Sequence, residues 1–265
     1  MPSGAEQSAR ALAAVAGCLV SDAAAQPFHF IYNLDKLDEI VGSKTDSLEF
    51  WEPSQNPYYT IQTGRGTAYA EHATALLESL VACEGFDKAH YGDRLRAVFG
   101  PGTDYDNELN SAFVLKSGTK SGYPIQGPWR PQIMKDFLAN QAKGLENTGS
   151  QLKDMHSVVA VVPVVALYAG RSDMLEVVEK SIAMVTEVEE AIALGLAAAR
   201  ILEQFILRPG VDGDTAIEAV MQQLASPSRH NPTDLDRAVI GQLKKVLDKA
   251  ACEHREAALK FFQNN

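Results

Sequence analysis

Apolar residues return at three- and four-residue spacing along most of the chain, the pattern of helices with one buried face. The first such run is Glu6 to Ala25, Ala-rich and followed by Pro27, which ends it. Thr67 to Cys83 repeats the pattern, and Gly85 closes it. Asp87 to Phe99 predicts a third helix. Pro131 to Lys143 predicts a fourth, with a proline near its first turn and Gly144 just beyond its end. Val158 to Tyr168 (VVAVVPVVALY) is β-branched, but Pro163 argues against a central strand, and the pattern favours a buried helix with a proline kink. Asp173 to Val185 is amphipathic. Thr186 opens T-E-V-E, a capping-box form, before EEAIALGLAAARILEQFIL, which is apolar almost all round and predicts a helix at the centre of a bundle. Thr215 to Leu224 and Asp234 to Phe262 complete the set, with HNPTDLDRA supplying a turn and then a cap.

Two stretches lack this periodicity. Gly100 to Gly127 is turn-rich (PGTDYDN, KSGTKSGYP) and reads as the longest loop. Phe28 to Thr63 is irregular and aromatic (FHFIYNLD, FWEPSQNPYY), as expected of the wall or lid of a site. Nothing suggests a parallel sheet or a short repeat. The expected fold is all-α, a single compact orthogonal helical bundle spanning residues 1–265.

Composition narrows the function classes. A formal net charge of −10 over 265 residues repels phosphate backbones, which argues against a nucleic-acid partner. Cys18, Cys83 and Cys252 are far apart and form no C-x-x-C pair, so free buried thiols in a reducing compartment are expected. The N-terminus faintly resembles a signal peptide, but Glu6, Arg10 and Asp22 interrupt a short, Ala-rich run. No membrane span is expected, and the chain reads as cytoplasmic.

The common catalytic strings are missing: there is no G-x-S-x-G, no P-loop and no H-E-x-x-H. DGDT at Asp212 to Thr215 lacks the spaced oxygens of a calcium loop and reads as a helix N-cap. Glu71 and His72 are adjacent, so on a helix they point about 100° apart and cannot easily share a ligand. His156, beside Asp154, is a candidate acid–base group, though a polar residue at a helix start is the plainer reading. Asp22 follows an apolar helix, and if buried its carboxylate needs a partner or a ligand.

An ordered set of segments then stands out: G-C-L-V-S-D-A-A-A-Q-P in the first helix, a second helix ending L-L-E-S-L before F-D, and later S-V-V-A-V-V-P-V-V-A-L-Y-A-G. This order resembles the ADP-ribosylglycohydrolase family over nearly the whole chain. Within it, GPWRPQIMKDFLAN and ARILEQFIL are most similar to the J-type lens crystallins of jellyfish and to fish selenoprotein J. The resemblance implies a site in which T-D-D-T and a late D-x-D-T hold two magnesium ions that orient ADP-ribose and a water. Counting back from Ser79, the T-D-D-T position falls on Thr67, Ala68, Tyr69 and Ala70. A methyl group cannot hold magnesium, and a phenol with an ordinary pKa near 10 is a poor substitute. Sliding the register brings in Glu71 only by rotating a buried helix. The late motif has no counterpart, DGDT being too early, which leaves open that a C-terminal segment is lacking.

Two readings follow from the resemblance. The first is a catalytically degenerate, structural member, a soluble lens-crystallin type of protein, with no cofactor and no metal expected and with self-association admitted. The second is a magnesium-dependent ADP-ribosyl hydrolase, or a binder of an ADP-ribose-like molecule, with a modified site. Its weak catalytic candidates are Asp22 and Glu71, and its weak metal candidates Asp22, Thr67 and Glu71. Its ligand-binding candidates are Asp22, Thr67, Tyr69, Trp129 and His156. Phe28, Phe30, Tyr32, Trp51, Tyr58, Tyr59 and Trp129 would form an aromatic wall able to stack a base, or else fill the core.

Overall fold

The computed structural model describes residues 4–42, 47–106, 110, 123–229, 232–253 and 256. Among them are ten α-helices: α1 (Gly4–Ala25), α2 (Leu34–Val41), α3 (Ala68–Ala82), α4 (Lys88–Phe99), α5 (Gln132–Ala142), α6 (Val161–Tyr168), α7 (Met174–Ala183), α8 (Glu189–Leu207), α9 (Gly213–Ala225) and α10 (Asp236–Asp248). The all-α expectation holds. The described extended structure is one two-residue parallel pair, β1 (Tyr59–Thr60) against β2 (Ile125–Gln126).

Local chemistry starts most helices where the pattern places them. Thr67, Asp87 and Asp212 each accept a backbone N–H from the first turn of α3, α4 and α9. Asp212 also accepts from the Thr215 hydroxyl at 2.9 Å, so DGDT is a helix cap, as read from the sequence. Before α10, Asp236 reaches back to the Thr233 N–H at 3.1 Å, while His230 and Asn231 lie outside the described residues.

The main core joins α3, α4, α5, α6, α7 and α8 through Leu76, Tyr91, Leu95, Phe99, Ile133, Phe137, Val164, Val178, Ile182 and Leu196, each at most 4% exposed. α8 packs against α1, α6, α7, α9 and α10, which bears out its central place. A second cluster, Ala193, Ala197, Val220, Leu224 and Val239, seats the α9–α10 pair on the far face of α8. A third gathers Tyr59, Ile61 and Ile125 with Phe30, Tyr58, Tyr123 and Trp129.

Several expectations are corrected. Residues 34–41, read as irregular, form α2: Asn33 accepts from Lys36 N, and Leu34, Leu37, Ile40 and Val41 share one side. Thr186 does not cap α8. It is paired in extended form with Ser150, whose carbonyl accepts from Glu187 N at 2.9 Å, and the helix begins after Val188. Gly149 permits that pairing, because a β-carbon there would lie 2.7 Å from the Thr186 carbonyl carbon. Pro163 does not kink a long helix. A 3₁₀ turn (His156–Ala160) precedes α6, and the proline stands in the first turn, where its missing N–H has no intrahelical partner to lose. α10 ends at Asp248, and residues 257–265 of the longer predicted helix lie outside the described residues, as do 107–109 and 111–122 of the long loop.

The cysteines are free, but Cys83 is exposed and Cys18 and Cys252 are only partly covered, so the buried-thiol expectation fails. Gly4–Phe28 is long and apolar enough to cross a membrane, contrary to the sequence reading, because its alanines keep the run apolar across its few charges. Here it lies against α3, α6 and α8, with Arg10 Nε donating to the Ile206 carbonyl at 2.7 Å.

Candidate functional site

The end of α1 meets the start of α3 at Asp22. Its Oδ2 accepts from Thr67 N at 2.6 Å and its Oδ1 from Thr67 Oγ1 at 2.7 Å. Thr67 in turn accepts from Tyr69 N at 3.2 Å, so one carboxylate clamps the residue that caps α3. The approach is close because the neighbours are small: a β-carbon on Gly66 would lie 2.8 Å from Ala70 Cβ and 3.6 Å from Asp22 Oδ2. Ala68 and Ala70 are buried in the first turn, and Tyr69 turns outward.

Glu71, one residue further, is held elsewhere. Its Oε1 accepts from Arg65 Nη2 at 3.0 Å and its Oε2 from the Tyr105 hydroxyl at 2.7 Å. Arg65 also reaches Asp104 at 3.0 Å, tying the turn after α4 across the start of α3. Burial and then the adjacent Glu71 carboxylate push the Tyr105 phenol well up.

In front of Thr67 opens a cleft of about 140 Å³, lined by His29, Phe30, Tyr59, Thr67, Ala68, Tyr69, Pro128, Trp129, Pro131, Gln132 and Asp154. Trp129 is presented from the segment between β2 and α5, and the β1–β2 pair sets Tyr59 opposite Ile125. Tyr59 OH and His29 Nδ1 are 3.2 Å apart. Burial lowers the His29 pKa while Asp22 opposes the shift, and burial followed by Asp22 raises the Tyr59 phenol. Of the predicted aromatic wall, Phe30, Tyr59 and Trp129 line the cleft. Tyr58 packs behind them with its ring centroid 6.1 Å from that of Trp129, Phe28 and Trp51 pack on each other at 5.3 Å, and Tyr32 is 79% exposed.

Behind Tyr69 lies a buried imidazole pair. His156 stacks its ring 4.6 Å from that of Tyr69, and its backbone N–H donates to Asp154 Oδ1 at 2.8 Å. His156 Nε2 meets His72 Nδ1 at 3.1 Å, and His72 Nε2 meets the Tyr91 hydroxyl. Proton counting favours Tyr91 donating to His72 and His72 donating to His156, which leaves a single orphan, the buried His156 Nδ1. The opposite direction leaves both Nδ1 and the Tyr91 hydrogen without partners among the described residues. Burial, then the neighbouring His156, holds the His72 pKa far down, and burial pushes that of His156 down to about 3. Both rings are therefore neutral at pH 7, and the pair serves as a polar pin inside the core.

The structure thus brings Thr67, Tyr69 and Trp129 to one cleft, with Asp22 behind Thr67 and His156 behind Tyr69. Glu71 is turned away from them. Sequence reasoning missed Asp154 and Gln132 as lining residues, and it missed the His72–His156 pair, whose partners stand 84 positions apart. The one signal available for that pair was a histidine on the buried side of an Ala-rich helix.

A sequence profile described as ADP-ribosylglycohydrolase matches residues 3–262. The chain belongs to the ADP-ribosylglycohydrolase family. Among its relatives, Crystallin J1A of Tripedalia cystophora is 32% identical over 198 residues, which cover 75% of this chain and 58% of the relative, and Crystallin J1B of the same organism is 31% identical over the same shares. The chain therefore spans less than two thirds of the length of these curated relatives.

Family membership raises the question of magnesium, which demands about six oxygen ligands in octahedral array. At the position that the resemblance assigns to the family's T-D-D-T, this chain offers Thr67, whose hydroxyl donates to Asp22, then Ala68, Tyr69 and Ala70. Both Asp22 oxygens and both Glu71 oxygens are already hydrogen-bonded within the chain. Among the described residues no three His, Cys, Asp or Glu side chains converge. This donor set does not fit a magnesium pair.

Proposed function

We propose that this chain is a catalytically degenerate ADP-ribosylglycohydrolase that serves a structural role, as a soluble protein of the J-crystallin kind in the cytoplasm. The observation that carries this reading is the junction of α1 and α3. Methyl groups and a phenol occupy the turn that presents carboxylates in the family, and Asp22 and Glu71 hold the fold together instead. A net charge of −10 supports it, since charge opposes association in a concentrated protein. The similarity to two crystallins supports it independently. The reading takes residues 1–265 as one domain, with no nucleic-acid or membrane partner, and admits self-association.

Titration calorimetry with ADP-ribose, with and without magnesium, tests it. No heat in either case is the expected result, and heat that requires the metal overturns it. Tissue abundance tests the crystallin role separately, because a trace protein absent from eyes is no crystallin.

One observation favours a second reading: the cleft gathers Thr67, Tyr69 and Trp129 beside a cavity of about 140 Å³. An aromatic cleft can stack a base, so an ADP-ribose-like ligand would be held here without metal. Metal-independent binding of ADP-ribose, lost in Trp129→Leu, identifies the binder. Magnesium-dependent release of ADP-ribose from a modified peptide identifies a hydrolase.

A further inference from the structure

The cleft in front of Thr67 has an unusual electrostatic make-up. Five of its lining residues present rings, His29, Phe30, Tyr59, Tyr69 and Trp129, and its single charged lining side chain is Asp154. Asp154 Oδ1 accepts from His156 N, its carboxylate acts on the Tyr69 phenol, and Oδ2 has no hydrogen-bond partner among the described residues. Asp22, clamped behind Thr67, adds a second negative charge that acts on His29, Tyr59 and Tyr69. Ring faces carry negative potential, and carboxylates beside them deepen it. Among the described residues no cation lines the walls. Lys135 places its ammonium 5.6 Å from the Trp129 ring centroid and is not among the lining residues.

The guest complementary to such walls is a compact organic cation with a weakly hydrated, methylated surface, since rings supply attraction but few oxygens to replace a hydration shell. An inorganic cation would need converging oxygens. A primary ammonium holds its water more tightly than rings can repay. A phosphate would meet Asp154 and find no lining donor of opposite charge. The volume also selects: a cavity of about 150 Å³ admits a molecule the size of benzene, and this one is about 140 Å³. That suits a trimethylammonium head.

We propose that the cleft binds a small quaternary-ammonium solute, its head enclosed by Phe30, Tyr59, Tyr69 and Trp129 and its charge facing Asp154. This holds whether the chain is a structural protein or an enzyme, so it stands apart from the function proposed above.

Choline chloride is titrated into the full chain at constant ionic strength, read by calorimetry and by tryptophan fluorescence. Parallel titrations use the neutral carbon isostere of choline, inorganic phosphate, and phosphatidylcholine vesicles. Saturable choline binding is expected, with the isostere at least about tenfold weaker. Asp154→Asn, which keeps the acceptor for His156 N, is expected to weaken choline about three- to tenfold, and Trp129→Leu to abolish binding. Should Trp129→Leu fail to fold, the isostere ratio and Asp154→Asn still decide. Equal affinity for choline and its isostere, saturation by phosphate without saturation by choline, or capture by vesicles without response to free choline would each overturn the assignment.

Discussion

Asp22→Ala offers the most direct test of how the α1–α3 junction works. The carboxylate accepts two short hydrogen bonds, 2.6 Å from Thr67 N and 2.7 Å from Thr67 Oγ1, and Thr67 is only 4% exposed. A hydrogen bond to a charged group contributes about 1.5–3 kcal/mol, and a buried donor left without a partner costs about 1–3 kcal/mol. The two bonds share one acceptor group and are not additive. Asp22 is itself only partly buried, so water reaches part of the gap. The expected loss is about 2–3 kcal/mol, which at roughly 2–4 °C per kcal/mol lowers Tm by about 5–10 °C. Asp22→Asn keeps one acceptor oxygen, and the Thr67 hydroxyl can turn to accept from its amide, so about 1–2 kcal/mol is expected. Urea titration and thermal melts followed by far-ultraviolet circular dichroism give the ordering alanine, asparagine, wild type. If Asp22→Ala were as stable as wild type, or more stable, the carboxylate would be held at a cost to folding, as site residues often are, and the clamp argument would fall.

Acidification should destabilise the fold through the buried imidazoles. His72 and His156 have folded-state pKa values below the ordinary 6.5, that of His156 at about 3, so the unfolded chain binds protons first as the pH falls. Their contribution is present above about pH 6.5 and is lost as the pH falls below it, that of His156 down to about pH 3, at up to about 1.4 kcal/mol per pH unit for each histidine. Urea midpoints against pH should fall more steeply for wild type than for His156→Gln, and equal slopes would refute this. At the α7–α8 contact, Gly195→Ala drives a β-carbon into Ile182 Cδ1 and should cost about 1–3 kcal/mol, partly recovered by Ile182→Val in the same chain. A thiol reagent at pH 8 should label exposed Cys83 at least about tenfold faster than Cys18, whose thiol is raised by burial and then by Asp22, and mass spectrometry of the peptides reads the order.

The sequence was readable where local chemistry and burial agree. α3 shows this best: a threonine able to cap, a run of alanines with high helix propensity, and Leu76 and Leu80 one turn apart on the core side. α8 was readable as central because apolar residues on every face leave no side fit for solvent. Thr186 misled for the opposite reason. Its T-E-V-E string satisfies a local rule, yet pairing of residues 185–187 with Ser150 takes those residues out of helical geometry, and a pairing across 36 positions leaves no local trace. α2 was passed over because its eight residues lie inside an aromatic stretch and bury no residue fully, so its pattern is weak over so short a length. The site was half legible. Thr67, Tyr69 and Trp129 were expected to act together and do share the cleft. Asp154 was seen only as a neighbour of His156, and the His72–His156 contact depends on the 3₁₀ turn docking against α3.

The α1–α3 junction also explains how α3 keeps its form with no carboxylate among residues 68–70. What α3 needs at its start is a cap, and Thr67 supplies it with no help from residues 68–70. Two carboxylates in that first turn, beside Asp22 at the end of α1, would gather three negative charges at one junction, a stable arrangement when a divalent cation sits among them and a repulsive one when it does not. Ala68 and Ala70 carry no charge to balance and fill the junction with methyl groups, which are fully compatible with a helix. Asp22, with no carboxylate among residues 68–70 beside it, accepts both protons that Thr67 offers. Glu71 would be the one remaining acid in that first stretch of helix, and the Arg65 guanidinium and the Tyr105 hydroxyl draw it to the other side of α3, where Arg65 also fastens Asp104. Both acids thus bind the chain itself: Asp22 joins α1 to α3 through Thr67, and Glu71 joins α3 to Arg65 and Tyr105.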